Sequence, residues 1–331
     1  MAEPLGEAAL LPGRARRAHG YVVPTAGLVA SAMLAWLALR KVDPHGFFDA
    51  FRQSEWSYLL LAGAAFTAAV LVRWLRWWLL FAPNRRPSLR SLGSAFLIGY
   101  LFNSVLPGRP GELARAVALK REAGTPVAEA LATTAAERIY DVVVLVALVS
   151  ATAPFVAESH ALRIAGLVAG ALAALAAAAA VAVGRNGSRL ERVLSRLPRV
   201  SGGTARRLVA SIVHGLASLR DVRLAALAIV LTGVSWLLLA LSAWALLLAF
   251  QLPVGFAIAL LVVVAANLTL LVPISPAGLG VFEAATVSVL AGFAVDRSAA
   301  LSYAVALHGL NLFPYLIAGA IALQRHLTVV R

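Results

Sequence analysis

The chain has 331 residues, of which 61% are hydrophobic and 13% are charged, well below the roughly 25% charged residues of a typical soluble domain. Its net charge of +14 could indicate nucleic-acid binding, but there is no soluble fold with interleaved aromatic residues to present to bases, so we expect no nucleic-acid partner. The absence of cysteine excludes disulfides, thiolate metal sites and a catalytic thiol.

The first predicted elements are a basic tail, residues 1–21, and an apolar run, residues 22–39. Arginines ahead of an apolar run resemble the start of a secretory signal. This run is too long for a signal, however, and Arg40 and Lys41 follow it. We therefore predict that the run is retained as the first membrane helix and that the tail is cytoplasmic.

Six apolar stretches are long enough to cross the roughly 30 Å hydrocarbon layer of a bilayer as helices, which takes about 20 residues each. We therefore predict an all-α integral membrane protein with about six full transmembrane helices, in a single polytopic domain over residues 22–325. The stretches lie near residues 22–40, 57–82, 126–150, 162–183, 224–250 and 299–323.

Two further apolar segments, residues 91–120 and 254–294, are interrupted by proline and glycine. Each interruption should end one helix and start another, because proline lacks a backbone donor and glycine lowers helix propensity. Lipid cannot satisfy the exposed backbone, so non-helical segments at membrane depth must face protein or a water-filled cavity. The segments therefore predict a polar cavity. The interruptions are Pro107, Gly108, Pro110 and Gly111 in the first segment, and Pro273, Pro276, Gly278 and Gly280 in the second.

The basic loops predict the topology, because cytoplasmic loops carry an excess of Lys and Arg. Residues 83–91, 184–223 and the C-terminal tail 326–331 are basic, so we expect all three and both termini in the cytoplasm, with the protein in the plasma membrane. The loop 184–223 stays inside only if segment 91–120 enters and leaves on one side, as a re-entrant hairpin. Segment 254–294 would enter from the outer face, although two short crossings would give the same parity.

With both segments re-entrant, the chain divides into an inverted-topology repeat with halves 22–150 and 162–323. A weak sequence echo supports the repeat. Inverted repeats with paired broken helices are a known transporter design, in which the site lies at the midplane between the breaks. The echo compares Asn103, Pro107, Pro110, Gly111 and Glu112 with Asn267, Pro273, Pro276, Gly278 and Glu283.

Three ionisable residues, Glu137, Arg138 and Asp141, lie inside the predicted span 126–150. A charge at a helix centre costs about 2.5 to 3.5 kcal/mol on insertion scales, so these side chains must face protein or water. Glu137 and Asp141 are four residues apart and share a helical face. They form either a structural ion-pair cluster or part of a functional cavity.

Four arginines are candidate anion ligands. Arg73 and Arg76 lie near a helix end with tryptophans, where they either anchor the helix at the interface or bind a lipid phosphate. Arg109 and Arg115, with Glu112, follow the prolines of the first broken segment, where a new helix start favours phosphate or carboxylate. The alternatives are an interface cluster or an internal Arg–Glu pair.

Glu283 follows the second interruption, and His308 lies on the last long helix. Glu283 is a candidate cavity residue, and His308 is either a hydrogen-bonded structural residue or a proton-linked one. The chain contains no HExxH, Walker or GxSxG motif and no cluster with metal-ligand spacing, so we expect no enzymatic activity, no metal and no cofactor.

Four groups of residues resemble, in this order and over roughly residues 25–325, the flippase-like transmembrane domain of lysylphosphatidylglycerol synthases and their stand-alone relatives. The resemblance implies movement of an amphipathic lipid, such as an aminoacylated phospholipid, between leaflets. The groups are Arg73, Trp74 and Trp77; Asn103 to Pro107 with Gly111, Glu112 and Arg115; Glu137, Arg138 and Asp141; and Pro273 to Pro276 with Gly278, Leu279, Gly280 and Glu283.

On this basis we expect Arg109 and Arg115, with Arg73 and Arg76, to hold a phosphate, while Glu112, Glu137, Asp141 and Glu283 balance them and could hold a cationic headgroup. The chain ends at Arg331, which leaves no room for the synthase domain, so we do not expect a lipid synthase. His308 stands where many relatives carry an arginine, which bears on the substrate.

Because the chain has no ATP-binding motif, we expect transport to be downhill or ion-coupled. The expected partners are membrane phospholipids, and the oligomeric state could be a homo-oligomer. The alternative is a non-transporting scaffold or regulatory subunit for a cell-envelope or polyprenyl-phosphate glycan enzyme.

Overall fold

The apolar segments, separated by proline and glycine, form a bundle of helices. The computed structural model describes residue 52 and residues 54–106, 108–156, 210–212, 214–219, 221–269 and 276–329, and no β-strand occurs among them. The helices are α1 (Trp56–Leu80), α2 (Leu89–Val105), α3 (Gly111–Ala123), α4 (Val127–Val156), α5 (Val222–Ala249), α6 (Phe256–Thr269), α7 (Val281–Ala291) and α8 (Arg297–Val329).

Three of these helices, α1, α5 and α8, are long and apolar enough to cross a membrane. They coincide with the predicted spans 57–82, 224–250 and 299–323. The predicted span 126–150 is helix α4, which carries four charged residues within its length. The predicted tail 1–21, the spans 22–40 and 162–183, and most of the loop 184–223 lie outside the described residues.

Both broken segments divide into two helices, as the proline and glycine content predicted. The first divides into α2 and α3, separated by residues 106–110, and the second into α6 and α7. Pro107 and Pro273 themselves lie outside the described residues. That these helix pairs re-enter the membrane from opposite faces, and that the halves form an inverted repeat, stay predictions.

Helices α1 and α5 form an antiparallel pair. The Ser242 hydroxyl donates to the Ala62 carbonyl across 2.8 Å, and at the other end of the pair Arg76 donates to Thr232. The α1 face that contacts α5 includes small, fully buried residues such as Ala62 and Ala69. Small residues let helix backbones approach closely in membranes.

Helices α2 and α3 form a tight antiparallel hairpin. Asn103 Oδ1 accepts the Gly111 N–H at 2.8 Å near the tip, and Ser94 donates to Glu122 near the base. A Cβ at Gly111 would overlap the Gly99 carbonyl and the Asn103 side chain. Glycine at position 111 is therefore required by the close approach of the two helices.

A strained turn precedes α7. Ala277, Gly278 and Gly280 all have positive φ, at 54°, 79° and 83°, a conformation that is costly for residues other than glycine. The turn ends where Glu283 Oε2 accepts the Gly280 N–H at 2.7 Å. This backward bond is half of a capping box, and it satisfies a donor that the start of the helix would otherwise leave unpaired.

Helix α8 joins the two broken segments. Its Tyr315 ring stacks on Tyr100 of α2 with centroids 4.1 Å apart and an interplanar angle of 9°. Toward its start, His308 Nδ1 lies 2.7 Å from Glu283 Oε1 of α7. One long helix therefore contacts both the first and the second hairpin, and it holds them on either side of a common interior.

Candidate functional site

A buried guanidinium at Arg76 links three helices. The side chain is 2% exposed. Its Nη1 donates to Asp141 Oδ1 at 2.6 Å and to Thr232 Oγ1 at 2.8 Å, and its Nη2 donates to Glu137 Oε1 at 3.0 Å. The interface-anchor interpretation of Arg76 is therefore wrong, because the guanidinium points into the bundle rather than toward a headgroup layer.

Arg115, from α3, completes the same cluster from the opposite side. Its Nη2 donates to Glu137 Oε2 at 2.5 Å and to Thr134 Oγ1 at 2.6 Å. Its guanidinium also stacks over the Trp77 ring at 4.4 Å, a cation–π contact that strengthens when water is excluded. Glu137 is thus held by two arginines, one at each carboxylate oxygen.

Asp141 is the second carboxylate of this region that binds several donors. It accepts the Trp236 indole N–H at 3.3 Å in addition to Arg76. Arg138 Nη1 lies 3.5 Å from Asp141 Oδ2, and Arg138 Nε lies 3.4 Å from Glu112 Oε1. The Arg138 and Glu112 side chains are about two-fifths exposed, so this pair forms the wet edge of the ion-pair cluster.

The ion-pair cluster, defined here as Arg76, Arg115, Glu137, Asp141 and Arg138, accounts for three of the four charges inside α4, and the fourth, Glu129, pairs with Arg85. Removing one partner of a buried ion pair costs about 3 to 5 kcal/mol, because the other charge is left uncompensated. The cluster ties α1, α3 and α4 together, with α5 added through Thr232. Of the two interpretations of these charges, the geometry supports a structural cluster that also borders a cavity.

The ion-pair cluster forms one wall of a cavity of about 100 Å³, the arginine cavity. Among the described residues, five guanidinium groups and three carboxylates line it, which gives these side chains a net charge of +2. Its charged lining residues are Arg73, Arg76, Arg109, Arg115, Arg138, Glu112, Glu137 and Asp141.

A second cavity, of about 130 Å³, lies between the two broken segments, and we call it the hairpin cavity. Gly108 and Arg109 line it from the first interruption, and Ala277 and Gly278 line it from the second. The two cavities share five lining residues and so adjoin. These are Arg73, Tyr100, Asn103, Arg109 and Asn267.

Arg73 lies at the junction of the two cavities. Its guanidinium carbon is 4.7 Å from the centre of the Trp236 ring, and its buried Nε has no hydrogen-bond partner among the described residues. A buried donor without a partner is costly and calls for an explanation. Arg76, one helical turn away, also has an Nε without a partner among the described residues, but its two terminal nitrogens are held by carboxylates.

Glu283 and His308 form a separate buried pair beside the hairpin cavity, with 6% and 5% exposure. The His308 ring lines the hairpin cavity and also stacks on Phe282 at 4.5 Å. Glu283 is held by the Gly280 N–H and the histidine. The sequence placed Glu283 just after the second interruption and His308 on the last long helix, but it could not show that they contact each other.

Sequence reasoning missed several residues of the site. Thr232 and Trp236 bind the ion-pair cluster from α5, and the tyrosine pair Tyr100 and Tyr315 lines the hairpin cavity. The sequence could have indicated Thr232 and Trp236, because they lie four residues apart on one face of an otherwise apolar helix. Nothing local distinguished the tyrosines from lipid-facing aromatic residues.

The order of these residues along the chain agrees with a known family. The model of the lysylphosphatidylglycerol synthase TM region matches residues 25–319. The chain belongs to this family. The match confirms the resemblance drawn from the four groups of residues.

Membership of the lysylphosphatidylglycerol synthase TM region family indicates a multi-pass membrane protein with a role related to membrane lipids. The matched region is the transmembrane part of the synthase rather than its catalytic domain. No curated protein and no solved structure matches the chain. Within the described residues, no group of three or more His, Asp and Glu side chains could hold a metal ion.

Proposed function

We propose that the protein moves a lipid with an anionic phosphate between the two leaflets of the plasma membrane, with the headgroup passing through the hairpin cavity. The observation that carries the proposal is the net charge of +2 on the residues lining the arginine cavity. Inside a low-dielectric bundle such an excess is unfavourable on its own and attracts an anion.

The chemistry of the cavity fits a phosphate group. Guanidinium is planar and donates two parallel hydrogen bonds, which matches phosphate oxygens. Arg73 and Arg109 line both cavities, so a phosphate between them could pass from one cavity to the other. Arg115, in contrast, is 4% exposed and held by Glu137, which supports a role in holding the site rather than in binding.

The size of the hairpin cavity favours a headgroup over a whole lipid. Its volume of about 130 Å³ is close to that of a cavity of about 150 Å³ that binds one benzene molecule. A phosphate with a small polar group fits such a space, whereas two acyl chains do not. In the proposed mechanism the chains stay in the bilayer, and only the polar part crosses between the two hairpins.

The antiparallel α2–α3 hairpin supports entry of the first broken segment from the cytoplasm. It brings the basic loop 83–91 to the same end of the bundle as Lys120 and Arg121, both exposed at the end of α3. Basic residues collect on the cytoplasmic side of a membrane. The second hairpin, α6 with α7, would then enter from the outer face. A lipid headgroup from each leaflet would therefore reach the cavity beside a different hairpin.

Leaflet exchange tests the proposal. Purified protein is reconstituted in liposomes that contain trace fluorescent phosphatidylglycerol, and a membrane-impermeant reductant then bleaches the outer leaflet. If the protein exchanges lipid between leaflets, the reductant should bleach nearly all the label, whereas in protein-free vesicles it should bleach about half. Bleaching that stops at half would refute translocation. Co-purification of a stoichiometric envelope enzyme in mild detergent, together with that result, would favour a scaffold.

A further inference from the structure

The buried carboxylates of the ion-pair cluster are already paired with arginines of the protein itself, Asp141 Oδ2 with Arg138 at 3.5 Å. Each oxygen of Glu137 accepts from a different arginine. Asp141 accepts from Arg76 and from the Trp236 indole. A ligand that displaced one of these donors would leave a buried charge without compensation. A cationic headgroup therefore gains nothing from these two side chains.

Glu283, the remaining buried candidate for a cationic headgroup, is equally engaged. One of its oxygens accepts the Gly280 N–H, and the other contacts the His308 ring. Releasing the first bond would also uncap helix α7. Of the four carboxylates expected to hold a cation, Glu137, Asp141 and Glu283 therefore do not fit the geometry, and Glu112 pairs with Arg138 and lines the arginine cavity rather than the hairpin cavity.

The hairpin cavity itself repels cations. Arg73 and Arg109 line it together with His308, and the described residues of its lining include no carboxylate. An ammonium group in this cavity would face two guanidinium groups across a poorly screened interior. Placing like charges side by side is a recognised way of excluding a wrong ligand.

Two of the asparagines that line the hairpin cavity, Asn267 and Asn311, present hydrogen-bond acceptors to it. The Asn267 amide donates to the Val263 carbonyl, and the Asn311 amide donates to the Leu307 carbonyl, each at 2.8 Å and one helical turn back. Each bond fixes which end of the amide is nitrogen and leaves the side-chain oxygen as an acceptor. Neutral acceptors suit hydroxyl donors.

We infer, resting on the proposed function, that the lipid carries an uncharged polyol such as glycerol beyond its phosphate, and not a cationic or aminoacylated headgroup. The arginines at the cavity junction bind the phosphate. The oxygens of Asn267 and Asn311 accept from the hydroxyls.

The test is the thermal unfolding of the full-length protein in detergent, titrated with three short-chain lipids. These are dioctanoyl phosphatidylglycerol, its lysyl ester and dioctanoyl phosphatidic acid, which keeps the phosphate but has no polyol. A ligand of the folded state raises the unfolding temperature by mass action, so the titration gives an apparent Kd. We expect the lysyl ester to bind at least about tenfold more weakly than phosphatidylglycerol because of like-charge repulsion.

The variant Asn267→Leu/Asn311→Leu identifies the contact. It should weaken phosphatidylglycerol binding about tenfold, the effect of losing two ordinary hydrogen bonds, and leave phosphatidic acid binding unchanged, which also shows that the variant is folded. Two outcomes overturn the inference. One is that the lysyl ester binds as tightly as phosphatidylglycerol or more tightly, and the other is that the double variant weakens the binding of phosphatidylglycerol and of phosphatidic acid equally. If none of the three lipids raises the unfolding temperature, the proposed function fails with it.

Discussion

Arg115 and Glu137, from helices α3 and α4, form a buried ion pair with an N–O distance of 2.5 Å. The second oxygen of Glu137 binds Arg76 of α1 at 3.0 Å. One carboxylate therefore holds three helices in register. Because both arginines depend on it, Glu137 is the residue on which the stability of the site rests.

We predict that Glu137→Gln lowers the free energy of unfolding by about 3 to 5 kcal/mol, the usual cost of breaking a buried pair. The reason is that buried Arg115 loses the carboxylate it pairs with, while Arg76 loses one of its two and keeps Asp141. Denaturant unfolding in detergent measures the change. Glu112→Gln is the matched control, since its pair with Arg138 is about two-fifths exposed and should cost about 0 to 1 kcal/mol. Equal effects of the two variants would contradict the cluster.

Gly111→Ala should destabilise the first hairpin, because the new methyl group would overlap the Gly99 carbonyl and the Asn103 side chain. Overpacking of this kind costs about 1 to 3 kcal/mol. The control is Gly233→Ala, on α5, where an added Cβ meets nothing within 4 Å and the substitution should be neutral or stabilising. Thermal unfolding in detergent distinguishes the two. A stable Gly111→Ala protein would mean that α2 and α3 are not in contact here.

Glu283 and His308 should show coupled effects on stability. Glu283→Ala removes both the bond to the Gly280 N–H and the contact with the histidine, so it should cost more than His308→Ala. Residues in contact give interaction energies of about 0.5 to 3 kcal/mol in a double-mutant cycle. The cycle is measured by denaturant unfolding of the two single variants and the double variant. Strictly additive effects would show that the pair is not formed.

The absence of cysteine from the chain allows a direct test of the predicted topology. Single cysteines are introduced at four exposed positions at or near helix ends, as Asn84→Cys, Ala123→Cys, Gln251→Cys and Ser298→Cys. A membrane-impermeant thiol reagent added to intact cells should label positions 251 and 298 and spare 84 and 123. The latter two flank the first hairpin, so they must behave alike if it is re-entrant. Labelling of 123 without 84 would show that segment 91–120 crosses the membrane.

The broken helices could be predicted from sequence because proline and glycine act through local backbone geometry. The segment 91–120 divides at its prolines into α2 and α3, and the segment 254–294 yields α6 and α7. Length and hydropathy likewise identified α1, α5 and α8. These features depend on a few consecutive residues and need no knowledge of the tertiary fold.

The contacts of Arg76 could not be predicted in the same way. Its partners Glu137 and Thr232 are 61 and 156 residues away in the chain, and only helix packing brings them together. The sequence echo between the halves is also limited. Asn103 accepts the Gly111 N–H, whereas its counterpart Asn267 donates to the carbonyl of Val263 in its own helix. Residues of the same type have different roles in the two hairpins.

The charge of Arg73, at the junction of the two cavities, should matter for transport and little for stability. It stacks on Trp236 and, among the described residues, forms no ion pair. Arg76 and Arg115 do form ion pairs, so substituting them could stop transport simply by unfolding the protein. The control is Arg121→Gln, which removes the same charge from an exposed position at the end of α3.

The most direct test of the account is the rate of phosphatidylglycerol exchange between leaflets in liposomes containing Arg73→Gln, compared with wild type and Arg121→Gln at equal protein content. Losing a hydrogen bond to a charged group costs about 1.5 to 3 kcal/mol, so exchange by Arg73→Gln should fall about ten- to hundredfold, with Arg121→Gln at the wild-type rate. A folded Arg73→Gln protein that exchanges lipid as fast as wild type would contradict the account.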